Sequence, residues 1–324
     1  MNNPMTPQLS KRVSRRRIGI ALGSGSARGM AHIGVLQGLR ELGIEPDVVC
    51  GSSIGALVGA CYLTDRLDEF GLWASALSTA DVLRFMSIRL LAQGGMAEGG
   101  RLISHLRDSF GDHRIEDLPK PFAAVATDLH FGREVWLQTG PIWDAVRASI
   151  AIPGLLTPVQ HEGDWLVDGG LVNPVPVSLC KALGADLIIA VNLNTALRQP
   201  PSPGLEDHEP EPEPVTAAAP PTESSLLGRL TASVRGATGG IRQRWGEGSS
   251  RSAPGTLNVM LNAINIMQDR ITRSRLAGEP PDVMLTPRLS DLGLLEFNRA
   301  AEAIAEGRAC VQRSADAIRH ALSV

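Results

Sequence analysis

Gly51-Ser52-Ser53-Ile54-Gly55 follows an apolar run ending Val48-Val49-Cys50 and opens directly into Ala56-Leu57-Val58-Gly59-Ala60. The order is strand, tight turn, helix, with a serine at the apex. A Gly-x-Ser-x-Gly elbow of this kind holds one hydroxyl, here that of Ser53, at the carboxyl edge of a sheet. Gly51 and Gly55 flank the bend because a strained turn brings backbone so close that a Cβ would clash. Small residues are common in any α/β protein, so the pentapeptide alone is a moderate signal. Two further stretches give it weight: a glycine- and serine-rich loop at 23–29, and Asp168-Gly169-Gly170 far downstream.

Outward from the elbow, strands and helices alternate. Ile18-Leu22 reads as a strand, a helix runs from near Arg28 to Leu42, and Asp47-Cys50 is the short strand entering the elbow. Its helix continues to about Leu63. Residues 66–90 read as helical, and a further helix spans 101–110. Strands are expected at 122–127 and 134–138, a short helix at 142–150, a strand at 164–167, a helix at 176–183 and a fully apolar strand at 187–191. This alternation predicts a three-layer α/β/α sandwich with a mostly parallel central sheet. The catalytic domain is placed at 18–195. Residues 196–255, rich in Pro, Glu and Ala, have the composition of a disordered insert. Within the insert lies a basic amphipathic patch (Leu226, Leu227, Arg229, Leu230, Arg242, Trp245), either a solvated linker or an interfacial helix for anionic lipid. Residues 256–324 are expected to form a helical segment packing on the catalytic domain, with a short strand at 282–286 and a helix from 296 to 322. The polar, basic stretch 1–16 is expected to be disordered.

Composition narrows the function classes. The 324 residues are 43% hydrophobic but only 4% aromatic, so the core is aliphatic, and a net charge of −3 offers no electrostatic footprint for nucleic acid. Four cysteines without ligand spacing read as reduced, mostly buried thiols. The basic Arg15-Arg16-Arg17 before Ile18-Leu22 resembles the start of a signal peptide, but the apolar run is short and breaks into Gly23-Ser24-Gly25, so a first strand is the better reading. The expected location is cytoplasmic, with peripheral contact at the inner face of a membrane.

The loop Gly23-Ser24-Gly25-Ser26-Ala27-Arg28-Gly29 joins the first strand to the first helix, where backbone N–H groups favour negative charge. Arg28 breaks the dinucleotide-binding spacing, and the Gly-Lys-Ser/Thr ending of a phosphate-binding loop is missing. An oxyanion hole fits better, with the amides of Gly25 and Ser26 as donors and that of Ile54 as an addition. Arg28 is suited either to hold the loop or to bind a head-group phosphate. Ser53 needs a base to become nucleophilic. Of the seven histidines, only His161 tempts as that base. His32 reads as a packing residue in the first helix. Asp168 is better placed, at the end of a strand with Gly169 and Gly170 allowing a tight turn, and burial would strengthen it as a base.

Taken in order, Gly23–Leu36, Gly51-Ser52-Ser53-Ile54-Gly55, Ala148-Ser149-Ile150-Ala151-Ile152-Pro153-Gly154 and Leu166–Pro176 resemble the motifs of patatin-like phospholipases over residues 18–192. Residues 256–324 resemble the C-terminal part of short bacterial members. The resemblance implies a serine lipid acyl hydrolase of phospholipase A or esterase type, acting in lipid metabolism on a lipid ester, with no cofactor and no metal. It carries Ser53 over as nucleophile and Asp168 as proton acceptor, and puts Gly25, Ser26 and Arg28 on the oxyanion loop. The family usually has glycine where Ser24 and Ser26 stand; the serine amides keep the donors provided φ stays negative there. The alternatives on the same fold are a weakly active regulatory or partner-binding protein, and an acyl thioesterase.

Overall fold

In chain order the strands are β1 (Ile18–Leu22), β2 (Val48–Ser52), β3 (Phe122–Asp128), β4 (Glu134–Leu137), β5 (Val159–His161), β6 (Asp164–Asp168), β7 (Leu187–Val191) and β8 (Val283–Leu285). β1, β2, β3 and β7 are buried at every position, as largely apolar strands covered on both faces are, with the polar Ser52, Thr127 and Asp128 at the carboxyl ends of β2 and β3. This computed structural model describes residues 15–86, 100–194 and 256–323. The expected disordered start and the 196–255 insert with its amphipathic patch lie outside the described residues, apart from Arg15 and Arg16. Met1–Arg198 and Thr256–Val324 together form one compact unit.

The eight strands make one sheet in the order β5-β6-β3-β2-β1-β7-β8, with β4 also pairing β3. Five strands, β3-β2-β1-β7-β8, are mutually parallel. The expected mostly parallel sheet describes these five, whereas β4 and β6 run antiparallel to β3, and β5 antiparallel to β6, which makes the whole sheet mixed. The three-residue β5 went unforeseen because a run that short carries no periodicity to read.

Helices cover both faces. On one side lie α1 (Ala31–Glu41), α2 (Ile54–Leu63), α3 (Leu67–Ser75), α4 (Thr79–Met86), α5 (Gly100–Phe110) and α6 (Ile142–Ser149), over a core that includes Leu22, Leu36, Phe70, Leu106 and Trp143. On the other, α7 (Val177–Ala182) packs with Val48, Val125 and Ile188. Of the 66–90 stretch expected to be helical, the described residues, up to 86, hold two helices, α3 and α4. Beyond the insert come α8 (Thr256–Gly278), α9 (Ala300–Arg313) and α10 (Ala315–Ser323). The final helix expected over 296–322 breaks at Ser314. α9 lies along α1, where a Cβ on Gly38 would touch Val311. All four cysteines are buried and free. Among the described residues no helix is long and apolar enough to cross a membrane.

One consequence of the register decides the site. β3 pairs β4 through Ala124–Thr127, β2 through residues 122–125, and β6 through residues 126–128. A strand has only two edges, and β4 overlaps both of the others, so β2 and β6 share the opposite edge. They meet there end to end. β2 runs parallel to β3 and stops at Ser52 opposite Val125, while β6 runs antiparallel and stops at Asp168 opposite Ala126. The carboxyl ends of the two strands thus converge at neighbouring rungs of β3.

Candidate active site

Ser53 occupies the step between β2 and α2 with φ 54° and ψ −123°, a backbone region that L-residues enter only under strain. The surroundings hold it there. The Ser53 carbonyl accepts from the amides of Ala56 (2.9 Å) and Leu57 (3.3 Å), and its own N–H donates to the Ser149 hydroxyl at 2.9 Å. A Cβ on Gly51 would collide with the backbone of Ala56, and one on Gly55 with the Leu22 carbonyl. Both positions of the elbow therefore exclude any side chain.

The Ser53 hydroxyl donates to Asp168 Oδ2 at 2.5 Å. The other carboxylate oxygen, Oδ1, accepts from the Gly170 amide at 2.7 Å. The tight turn is closed at Gly169, whose carbonyl accepts from the amides of Val172 and Asn173. Thr127 Oγ1 donates to the Asp168 carbonyl at 2.8 Å, and the Asp168 amide donates to the Ala151 carbonyl at 2.9 Å. Ser53 is 3% and Asp168 1% exposed. Burial pushes the Asp168 carboxyl up to about 7, partly offset by the hydrogen bonds from Ser53 and Gly170. A carboxylate so placed is a far better base than one in water. His161 instead lies exposed on the β5–β6 hairpin, paired with Asp164.

In the loop at 23–29, four amides are engaged by backbone carbonyls. Gly23 donates to Val191 (3.1 Å), Ser24 to Pro174 (2.8 Å), Ala27 to Leu294 (3.0 Å) and Arg28 to Gly25 (3.1 Å). No carbonyl of the described residues takes the amides of Gly25, Ser26 or Ile54. Ser26 has φ 49°, so the expectation of negative φ is corrected there. The loop keeps a glycine-like backbone and imposes it on a serine, at a cost on the order of 1 kcal/mol. Ser24 Oγ donates to Gln268 Oε1 at 3.1 Å.

Arg28 does not face solvent. It is 7% exposed, and its Nε donates to the Leu292 carbonyl at 2.8 Å. Burial lowers its pKa, with Asp291 opposing the shift. The Nε bond ties the loop to the C-terminal segment, the first of the two roles open to Arg28.

His32 is more than packing. It is wholly buried, and burial lowers its pKa to about 4. The neutral ring therefore donates from Nε2 to the Gly23 carbonyl, 2.7 Å away, and pins the start of the loop.

Beside Ser53 and Ser26 opens an apolar cleft of about 860 Å³, open mouth included, whose walls include Met30, Leu57, Phe70, Trp73, Leu102 and Phe297. A second, smaller lobe shares Ser26 and Ser53 and is walled in part by α8. Sequence reasoning gave Ser149, Thr127 and Gln268 no role. Ser149 sits inside a quoted family block, which was its only signal; the other two act through contacts far along the chain. Among the described residues no group of three or more His, Cys, Asp or Glu side chains could hold a metal.

The model of the patatin-like phospholipase family matches residues 20–181. An uncharacterised NTE family protein of Mycobacterium tuberculosis is 37% identical over 94% of this chain and 92% of its own length. Lysophospholipase NTE1 of Pyricularia oryzae is 31% identical over 93% of this chain, which spans only 18% of that protein.

Proposed function

The chain belongs to the patatin-like phospholipase family, and from that premise we propose that it is a serine lipid acyl hydrolase working through a Ser53–Asp168 dyad. The observation carrying this reading is the 2.5 Å hydrogen bond between the two side chains in a buried pocket. Asp168 takes the Ser53 proton as Oγ attacks the ester carbonyl. The tetrahedral oxyanion is held by the amides of Gly25 and Ser26, with Ile54 at the start of α2 adding a third donor. Collapse breaks the ester C–O bond, and the proton on Asp168 passes to the departing alcohol. Water, deprotonated by Asp168, then attacks the acyl-serine and releases the fatty acid. The apolar cleft accommodates the acyl chain, and the substrate's lipid character brings the protein to a membrane or micelle surface as a peripheral enzyme of lipid metabolism.

Ser53→Ala should abolish turnover of lipid esters and labelling by a fluorophosphonate probe. Labelling that survives in this variant sinks the assignment. Because Asp168 must be ionised to accept the proton, kcat/KM in wild type should rise with pH through an apparent pKa of about 7. A profile flat from pH 5 to pH 9 would remove Asp168 as the base.

A further inference from the structure

The second lobe beside Ser53, about 300 Å³ with its open mouth, differs in character from the acyl cleft. Ile152, Leu261, Ile264 and Leu294 make it largely apolar, but two side-chain amides from α8, Asn265 and Gln268, enter it. Gln268 is engaged with Ser24. Asn265 is 4% exposed, and its Oδ1 has no hydrogen-bond partner among the described residues.

α8 is also amphipathic in the wrong sense for a packed helix. Asn265, Gln268, Asp269 and Thr272 are buried on its inner side, while Val259, Ile266 and Met267 are about half exposed. An amide oxygen buried without a partner is destabilising. Native proteins satisfy nearly all such groups, so an orphan beside a nucleophile points to a ligand that completes it.

The acyl chain and the alcohol leave the ester carbon in different directions, and the cavity beside Ser53 has two lobes. With the acyl chain in the apolar cleft, the alcohol enters the lobe under α8. We propose that Asn265 reads the alcohol side of the ester, its side-chain amide hydrogen-bonding a free hydroxyl carried next to the ester oxygen. The favoured substrate class is then a partial ester of a polyhydric alcohol, such as a monoacylated glycerol. An amide is donor and acceptor, as is a hydroxyl, so the pair forms whichever way the amide sits. An alcohol lacking that hydroxyl leaves Asn265 buried and unpaired, which is how a polar site rejects an apolar analogue. This inference rests on the hydrolase reading above.

The test compares kcat/KM for 1-oleoylglycerol and propyl oleate, presented in the same detergent micelles, in wild type, Asn265→Leu and Asn265→Ala. Wild type should favour the glycerol ester about tenfold, the value of one hydrogen bond, and the ratio should fall towards one in both variants. Asn265→Leu should also keep or raise Tm, since an apolar side chain replaces an amide whose buried oxygen has no partner among the described residues. A ratio unchanged in the folded variants overturns the inference and leaves the hydrolase standing; should the leucine variant not fold, the alanine variant decides. A lowered Tm with an unchanged ratio marks Asn265 as structural and overturns it equally. Wild type that turns over neither ester but is labelled by a fluorophosphonate probe at Ser53 overturns this inference alone. Wild type that is not labelled and turns over no lipid ester removes the hydrolase reading, and this inference with it.

Discussion

Two small-residue turns meet at the pocket beside Ser53, and they are held in different ways. The elbow at Ser53 is fixed by its neighbours: Gly51 and Gly55 let β2, α2 and β1 touch backbone to backbone, and the helix caps itself on the Ser53 carbonyl. The loop at 23–29 has glycine-like geometry without all the glycines. Its amides and side chains reach Leu292, Leu294 and Gln268, roughly a whole chain length away. The proposed nucleophile thus sits on a turn packed against its own strand and helix, while the loop of the proposed oxyanion donors depends in part on the C-terminal segment. Attack geometry and charge stabilisation can therefore fail separately.

The largest expected effect belongs to the elbow. Gly55→Ala drives a Cβ into the Leu22 carbonyl, and backbone on both sides leaves nowhere to relax. A destabilisation of about 3 kcal/mol or more is expected, read as a lower denaturation midpoint together with lost turnover. An alanine variant as stable and active as wild type would show that the elbow is not sterically locked.

This contrast also explains what could be read from the chain. The elbow was legible because the bend is local: the five residues carry the two glycines and the serine that the turn needs, although Leu22 and Ser149, which press on it and hold it, lie elsewhere in the chain. Asp168 was legible as a strand end followed by two glycines, though not the convergence of β2 and β6 on one edge of β3 that brings it to Ser53. That convergence depends on an antiparallel excursion which alternating strands and helices do not announce. Arg28 was open to two readings because nothing in residues 23–29 says that Leu292 will cover it. His32 looked like packing for the same reason, since its acceptor is a carbonyl, and carbonyls are everywhere in a sequence. Asn265 carries no pattern at all, Ser149 only its place in a family block, and the fold alone gives either its neighbours.

A middle-sized effect is expected at the tether. Arg28→Met keeps the apolar stem and removes the bond to the Leu292 carbonyl. Removing a buried charge offsets the lost hydrogen bond, so stability should move by only about 1 kcal/mol. The loop, however, loses its anchor on the C-terminal segment, and kcat should fall about tenfold to a hundredfold with KM little changed, as when oxyanion donors are misplaced. Steady-state kinetics beside a thermal melt separate the two quantities. Unchanged kcat would show that the loop is as locally determined as the elbow, and the contrast between the two turns would collapse.

The smallest effect has the opposite sign. Ser26 holds φ 49°, where a Cβ costs on the order of 1 kcal/mol that glycine does not incur. Glycine in return has a freer unfolded chain, which takes back roughly half to all of that gain. Ser26→Gly should therefore shift stability by no more than about 1 kcal/mol, in the stabilising direction or not at all, and leave the Ser26 amide where it is. Turnover should persist at or near the wild-type rate. The same exchange at Ser53, with φ 54°, would relieve similar strain and delete the proposed nucleophile. The comparison thus isolates backbone from side chain: at 26 the chain needs only the amide, at 53 it needs the hydroxyl. A large loss of kcat in Ser26→Gly, with stability kept, would mean that the Ser26 hydroxyl, and not only its amide, serves the reaction.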